Sequence, residues 1–312
     1  MQKLLVCGDT KISQVFNVCE QLEHIGVDFK VLNPNDSPAF SFSPSNNKIR
    51  FSEKEEFEPF ALWTARTNFI AQFGSTSEWA EKKAFHMEWD GILLNLYTHF
   101  NDVAYSPLHS LTLESRKIEQ LKVAAGLGFF VPLSVATNDG STVRDVFEKD
   151  QLVIVKAIGV ANLPIWRAPG FIDGFSPSVQ TYKAYELASI LDENKPPPML
   201  IQEYITRSND YRVAVVGKDI HCMKISKPVD LIDSRKLGEK QVFEFVDIPL
   251  DTKEKLLLFL KKFNLPFGHF DFVEMNDGGM MFLECNPDGM WVFYDTDRRI
   301  SRSYANFFKV KM

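Results

Sequence analysis

The chain opens with KLLVCGD, a short apolar run closed by Gly8 and Asp9; apolar positions then recur at helical intervals from Val15 to Ile25, and VDFKVLNP is apolar again. The pattern predicts strand, helix, strand, and so an α/β first domain. No GxGxxG follows the first strand, which excludes a dinucleotide fingerprint. A stretch rich in Ser, Pro and Asn over about 33–49 is expected as a loop, and the acidic patch SEKEEFE covers 52–58. SEWAEKKAFHMEW is expected as a helix, and GILLNLYTHF after it as a buried strand.

A second unit begins near Leu113, where ESRKIEQLKVAAGLG has helical periodicity and ends in Gly126 and Gly128. FFVPLSVATNDGS supplies a strand and a turn, and DQLVIVKAIG is a buried strand that ends on a charge, Lys156. A Gly/Pro-rich segment from Gly159 to Pro177 follows, and Pro196 to Pro198 stiffen a connection expected to be a domain hinge. PMLIQEYI, the pair within YRVAVVGKDIHCMKI, helical TKEKLLLFLKKF and the pair HFDFVEM and MMFLECN complete a sheet-rich last domain. The expected division is 1–112, 113–199 and 200–312.

Composition narrows the classes. At 312 residues and 45% hydrophobic, the chain can bury roughly 75% of its unfolded surface without disulfide or metal staples. Its 35 basic and 41 acidic residues leave a net charge of −6, which disfavours nucleic-acid partners and acidic membrane surfaces. Cys7, Cys19, Cys222 and Cys285 are too scattered for a metal knuckle or a redox pair and are expected as buried thiols. The apolar runs from Ala124 to Val135 and from Leu256 to Leu260 fall short of the roughly 20 residues of a membrane span. No secretory pattern follows Met1, so a cytoplasmic location is expected. Self-association into a homodimer is compatible with the sequence and not specified by it.

Candidate chemistry concentrates in HFDFVEM-NDGG-MMFLECN, two alternating strands joined by a strong turn signature, Asn276-Asp277-Gly278-Gly279. With Asp277 and Gly278 as the turn residues, Asp271 lies opposite Glu284, and Asn286 shares the face of Glu284. Facing carboxylates repel, and a hard cation such as Mg²⁺ is the simplest compensation; a solvent-facing polar edge is the alternative. Glu274 has the opposite parity and is expected as a surface charge.

Elsewhere, Lys156 ends a buried strand, where its amine can meet phosphate or reach water, and Lys117 on the preceding helix can supply a second phosphate contact or a plain helix-face charge. Glu203 sits in an apolar strand, where a carboxylate needs strong donors. Asp210 and Arg212 share a face, which allows a mutual salt bridge.

The order Lys117, Lys156, Gln202-Glu203-Tyr204-Ile205, Asp210-Tyr211-Arg212, Asp271 and Glu284-Cys285-Asn286 resembles the ATP-grasp superfamily over nearly the whole chain. Trp63-Thr64-Ala65-Arg66, the ESRKIEQLKVAAGLGFFVP segment, VIVKAIG and LECNPDGMW resemble the ribosomal-peptide maturases of the microviridin, or graspetide, type. Gly289 and Trp291 match the ending of that family's Glu-x-Asn-Pro-x-Gly-x-Trp motif. The resemblance implies an α/β and α+β ATP-grasp fold of three lobes, with ATP between the central and C-terminal sheets. It implies that Lys117 and Lys156 meet nucleotide phosphates, that 202–205 form the adenine-side hinge and that Asp210 approaches the ribose. It further implies that Asp271, Glu284 and Asn286 bind Mg²⁺, with Asn286 also at the nucleotide. Arg212 and Arg235 would neutralise the transferring phosphate or acyl-phosphate, with Lys224 a weaker candidate for the same face and Asp233 a candidate to orient or deprotonate the nucleophile.

The implied activity is an ATP-dependent peptide ligase. It forms side-chain esters or amides, through an acyl-phosphate, in a ribosomally made precursor with a leader and a core of Thr, Ser or Lys with Asp or Glu. Asp233-Ser234-Arg235 stands where the family often has Asp-Trp-Arg, Ala65-Arg66 where it often has paired arginines, and Ala157 where a proline commonly follows the lysine. Two other functions remain open: a carboxylate-amine ligase acting on another peptide or a small molecule, and a noncatalytic nucleotide- or peptide-binding module.

Overall fold

A computed structural model describes residues 2–36, 38–52, 55–65, 76–105, 113–156, 158, 180–205, 209–226, 242–275, 277–287, 289 and 291–310. Arg66, Asp233 and Arg235 lie outside the described residues, as do the turn residue Asn276 and all of the expected Gly/Pro-rich segment.

Three sheets organise the described chain. The first has the order β2-β1-β5-β4-β3, from strands β1 (Gln2–Gly8), β2 (Phe29–Leu32), β3 (Ser41–Ser43), β4 (Lys48–Ser52) and β5 (Glu55–Ala65). β1 runs parallel to both β2 and β5, so the opening strand, helix, strand reading holds, with helix α1 (Ser13–His24) as the crossover. Val15, Val18, Cys19 and Leu22 form its buried stripe at intervals of three, one and three. One expected loop differs: 33–49 contains β3 and the start of β4, and the acidic patch after it starts β5. There Glu55 pairs with Lys30 and Glu56 with Lys48 and Arg50.

The expected strand GILLNLYTHF is instead the end of helix α2 (Thr76–His99). Leu93, Leu96, Tyr97 and Phe100 are buried together against β1 and β5. Their spacing of three, one and three is a helical stripe, which a short apolar run of mixed residues does not distinguish from a strand.

Helix α3 (Lys117–Gly126) comes next, then the central sheet, β6-β9-β7-β8, from β6 (Ser134–Thr137), β7 (Leu152–Lys156), β8 (Gln180–Lys183) and β9 (Met199–Glu203). Helices α4 (Gly140–Val146) and α5 (Ala184–Asn194) cover one face, burying Val153, Val155, Met199 and Ile201. β9 crosses the expected 199/200 boundary and is an inner strand here, so Gln202 and Glu203 belong to this sheet. Pro196 to Pro198 therefore connect α5 to β9 within one unit rather than hinging two.

The C-terminal sheet is antiparallel, β12-β11-β10-β13-β14, from β10 (Asn209–Val216), β11 (Asp219–Ser226), β12 (Val242–Val246), β13 (Phe267–Glu274) and β14 (Met280–Asn286). Both faces are covered, which accounts for the unbroken burial of β13 from Phe267 to Val273. One face carries Val213, Phe270, Phe272 and Phe282 against α3 and helix α6 (Leu250–Lys262). The other carries Ala214, Val216 and Met223 against α1, β1 and helix α7 (Arg299–Lys309). The first and last sheets thus share a core, and Trp63 packs there, its ring 5.1 Å from Phe308 and 5.7 Å from Tyr304. All four cysteines are buried free thiols. Among the described residues no helix is long and apolar enough to cross a membrane.

The segment after β14 is pinned onto this core. His269 and Trp291 stack with centroids 4.6 Å apart and planes 6° from parallel, and Trp291 stacks on Tyr304 at 4.8 Å. Gly289 lies so close that a Cβ there would stand 2.3 Å from His269 Cβ, and its carbonyl accepts from Gln14 Nε2 at 2.9 Å. Gly289 and Trp291 of LECNPDGMW therefore have a packing reason. Gly289→Ala is expected to lower stability by about 1–3 kcal/mol through overpacking, read as a shift in the denaturant midpoint without change of slope.

Candidate functional site

The hairpin brings Asp271 and Glu284 directly opposite, and His269 opposite Asn286. The pairing agrees with the sequence reading, but it is reached by a different route. Gly278 N–H donates to Met275 O, Met275 N–H donates to Gly279 O, and Gly278 takes φ 81°, so the turn is one residue longer than the expected two. Near the turn, Phe272 faces Phe282 and Glu274 faces Met280; a bulge at Leu283 then restores the register to Asp271 opposite Glu284. Alternation alone would have left Glu284 on the apolar face of Phe282.

Cations are built around the two carboxylates. Arg212, the Cα partner of Asp271 on β10, forms an ion pair with it, and Lys117 Nζ lies 3.0 Å from Glu284 Oε2. The two bases reach the site from different elements, the middle of β10 and the first turn of α3. These four side chains keep between 13% and 34% of their surface exposed, enclosed enough to interact strongly and open enough to meet a ligand. Burial opposes ionisation of Glu284, but the charges of Lys117, Lys156 and Arg212 outweigh it and hold the carboxyl down at about 2. Three cations from three elements thus converge on this carboxylate pair, a setting that suits a phosphate.

Lys156 lies on the face of the central sheet opposite its apolar core, together with Gln202, because Val153, Val155 and Ile201 alternate onto the helix side. Gln202 is 1% exposed; its Nε2 donates to Ser134 Oγ at 2.9 Å, while its Oε1 has no hydrogen-bond partner among the described residues. A buried acceptor without a donor is costly and suits an exocyclic amine N–H. Glu203 Oε1 accepts from Leu133 N–H at 2.8 Å, the strong donor its position called for, and Tyr204 N–H donates to Leu152 O. Ile205 follows half-buried at the end of this segment. Asp210, 6% exposed, is on the face of Arg212, whose carboxylate partner is Asp271.

Two expectations change. Lys224 is the register partner of Tyr211, not of Arg212, so it is on the opposite face of the sheet; its amine lies 3.9 Å from Glu274. Glu274 is not a surface charge: Tyr211 Oη donates to it at 2.9 Å and Asn209 Nδ2 donates to it as well. Its parity, opposite to that of Asp271, is as expected. His269 was missed, although it lies two residues before Asp271 and hence on the same face; it is 5% exposed and shares a hydrogen bond of 2.9 Å with Tyr304 Oη. Gln120 was missed because nothing in its helix context marks its partner, 165 residues away.

The donor set fits a hard divalent cation: two carboxylate groups and an amide oxygen on one hairpin face, with Glu284 kept ionised. Among the described residues no cluster of three or more His, Cys, Asp or Glu could hold a metal by itself. An Mg²⁺ ion here would share its coordination with phosphates and water, its usual habit.

No protein-family model and no curated protein matches the sequence. Solved structures do. The macrocyclase MdnC from Microcystis aeruginosa, bound with precursor peptide MdnA, aligns over 100% of both chains with a TM-score of 0.76 at 20% identity. The ATP-grasp ligase PsnB complexed with minimal precursor aligns over 100% of this chain and 99% of its own, with a TM-score of 0.79 at 18% identity. A Chryseobacterium gregarium RiPP-associated ATP-grasp ligase, in complex with ADP and a leader and core peptide, covers 100% and 98%, with a TM-score of 0.75 at 20% identity. What is shared at such identities is the backbone arrangement: this chain has the ATP-grasp fold.

Proposed function

We propose that this chain is a Mg²⁺- and ATP-dependent peptide ligase that closes side-chain ester or amide rings in a ribosomally made precursor, and that it works in the cytoplasm. The observation that carries the reading is the Asp271 and Glu284 pair, faced by Arg212, Lys117 and Lys156 and set in a fold shared end to end with precursor-bound ligases. Lys117 and Lys156 hold phosphate oxygens, the 202–205 segment holds the adenine, and Asp210 approaches the ribose. Asp271, Glu284 and Asn286 hold Mg²⁺, which supplies charge neutralisation to the phosphates when bound.

The chemistry separates two difficult steps. A peptide carboxylate oxygen bonds to the terminal phosphorus of ATP as the bond to ADP breaks, giving an acyl-phosphate; Arg212 is placed to offset the charge of that group. A hydroxyl or amine of the same peptide then attacks the acyl carbon and loses its proton while phosphate leaves, so each ring removes one water from the peptide. Holding both side chains together supplies the effective concentration that favours closure over hydrolysis. Arg235 and Asp233 keep the roles the family resemblance gives them, toward the acyl-phosphate and the nucleophile. Lys224, on the far face, takes no part.

With ATP, Mg²⁺ and a precursor carrying an intact leader, each turnover is expected to lower the peptide mass by one water and release one phosphate. A precursor of unchanged mass under conditions where ATP binds would sink the proposal. Turnover of a small amino or hydroxy acid without any leader would point instead to the carboxylate-amine ligase reading, which the likeness to D-cycloserine synthetase DcsG favours, at a TM-score of 0.55. Glu284→Gln and Asp271→Asn are each expected to cut phosphate release about 100-fold or more while leaving the circular dichroism spectrum intact. Undiminished turnover in either would remove that residue from the metal site.

A further inference from the structure

The bulge that turns Glu284 toward Asp271 also changes which amides of β14 point outward. β14 is the edge of its sheet, and β13 pairs with it on one side only. On the open side, Phe282 N–H donates to Phe130 O at 2.8 Å. In a regular strand the next outward amide would be that of residue 284. Because Leu283 is the extra residue, the outward amide is that of Cys285, and a side chain meets it: Gln120 Oε1 accepts from Cys285 N–H at 2.6 Å. Gln120 is fully buried, and its Nε2 donates to Leu113 O at 2.7 Å, so both ends of the amide are engaged.

Cys285 lies between Glu284 and Asn286, and Gln120 lies one turn after Lys117, which pairs with Glu284 at 3.0 Å. The same face of α3 thus holds the carboxylate of Glu284 and the backbone immediately behind it. We propose that Gln120 is a positioning residue for the metal site: it clamps the bulged edge in the register that presents Glu284 and Asn286 beside Asp271. Without the clamp, the edge relaxes toward regular alternation, which rotates Glu284 away from Asp271. The inference rests on reading Asp271, Glu284 and Asn286 as the metal ligands.

The test uses the full chain with ADP as probe. Gln120→Met keeps the volume and removes both hydrogen bonds. In Gln120→Met, amide exchange across 282–286 is expected to speed up without metal. The Mg²⁺ concentration that half-saturates ADP binding is expected to rise about 10- to 100-fold, while ADP binding without Mg²⁺ stays as in the unsubstituted chain. A folded Gln120→Met protein with unchanged half-saturation overturns the positioning role alone, as does an equal loss of ADP binding with and without Mg²⁺. ADP binding by the unsubstituted chain that ignores Mg²⁺ overturns the metal reading itself, and this inference with it.

Discussion

Two carboxylates held face to face are the constraint around which the rest of the site is arranged. Asp271 and Glu284 are cross-strand neighbours, and like charges at that position repel unless cations intervene. The chain meets this with Arg212 from the adjacent strand, Lys117 from a helix and Lys156 from a different sheet. Each cation comes from a separate element, so the electrostatic balance of the hairpin depends on the relative placement of all of them. The same balance leaves room for a ligand that brings negative phosphate and a divalent cation together.

That placement is secured by the unusual burial of the C-terminal sheet. Antiparallel sheets often leave one face to water, but here α3 and α6 cover one side while α1, β1 and α7 cover the other. The aromatic stack of His269, Trp291 and Tyr304 and the Gln14 bond to Gly289 tie the end of the hairpin to the first domain. A short polar strip on a buried sheet is rigid in proportion to the packing around it, which suits groups that must hold phosphates in one geometry.

Much of this was legible in the residue pattern. Strong period-two runs became β10, β11, β13 and β14, and the facing of Asp271 and Glu284 agrees with the sequence reading, although a longer turn and a compensating bulge produce it. The failures have physical causes. GILLNLYTHF is too short and too mixed for its period to choose between helix and strand, and its packing on β1 and β5 chose helix. The family resemblance grouped Lys224 with Arg212, but the antiparallel register of β10 and β11 puts them on opposite faces. Glu274 looked solvent-bound because its partners, Asn209 and Tyr211, come from a strand more than sixty residues earlier.

By itself the sequence determined most of the elements, the place of the turn between the last two strands and the types of chemical group available, since local periodicity, glycine placement and side-chain chemistry are properties of short segments. Only the tertiary structure decided that Leu283 bulges, that Gln120 meets the amide this exposes and that three distant cations surround one carboxylate. Those outcomes depend on which helix covers a sheet edge, and edge coverage is settled by the packing of the whole chain.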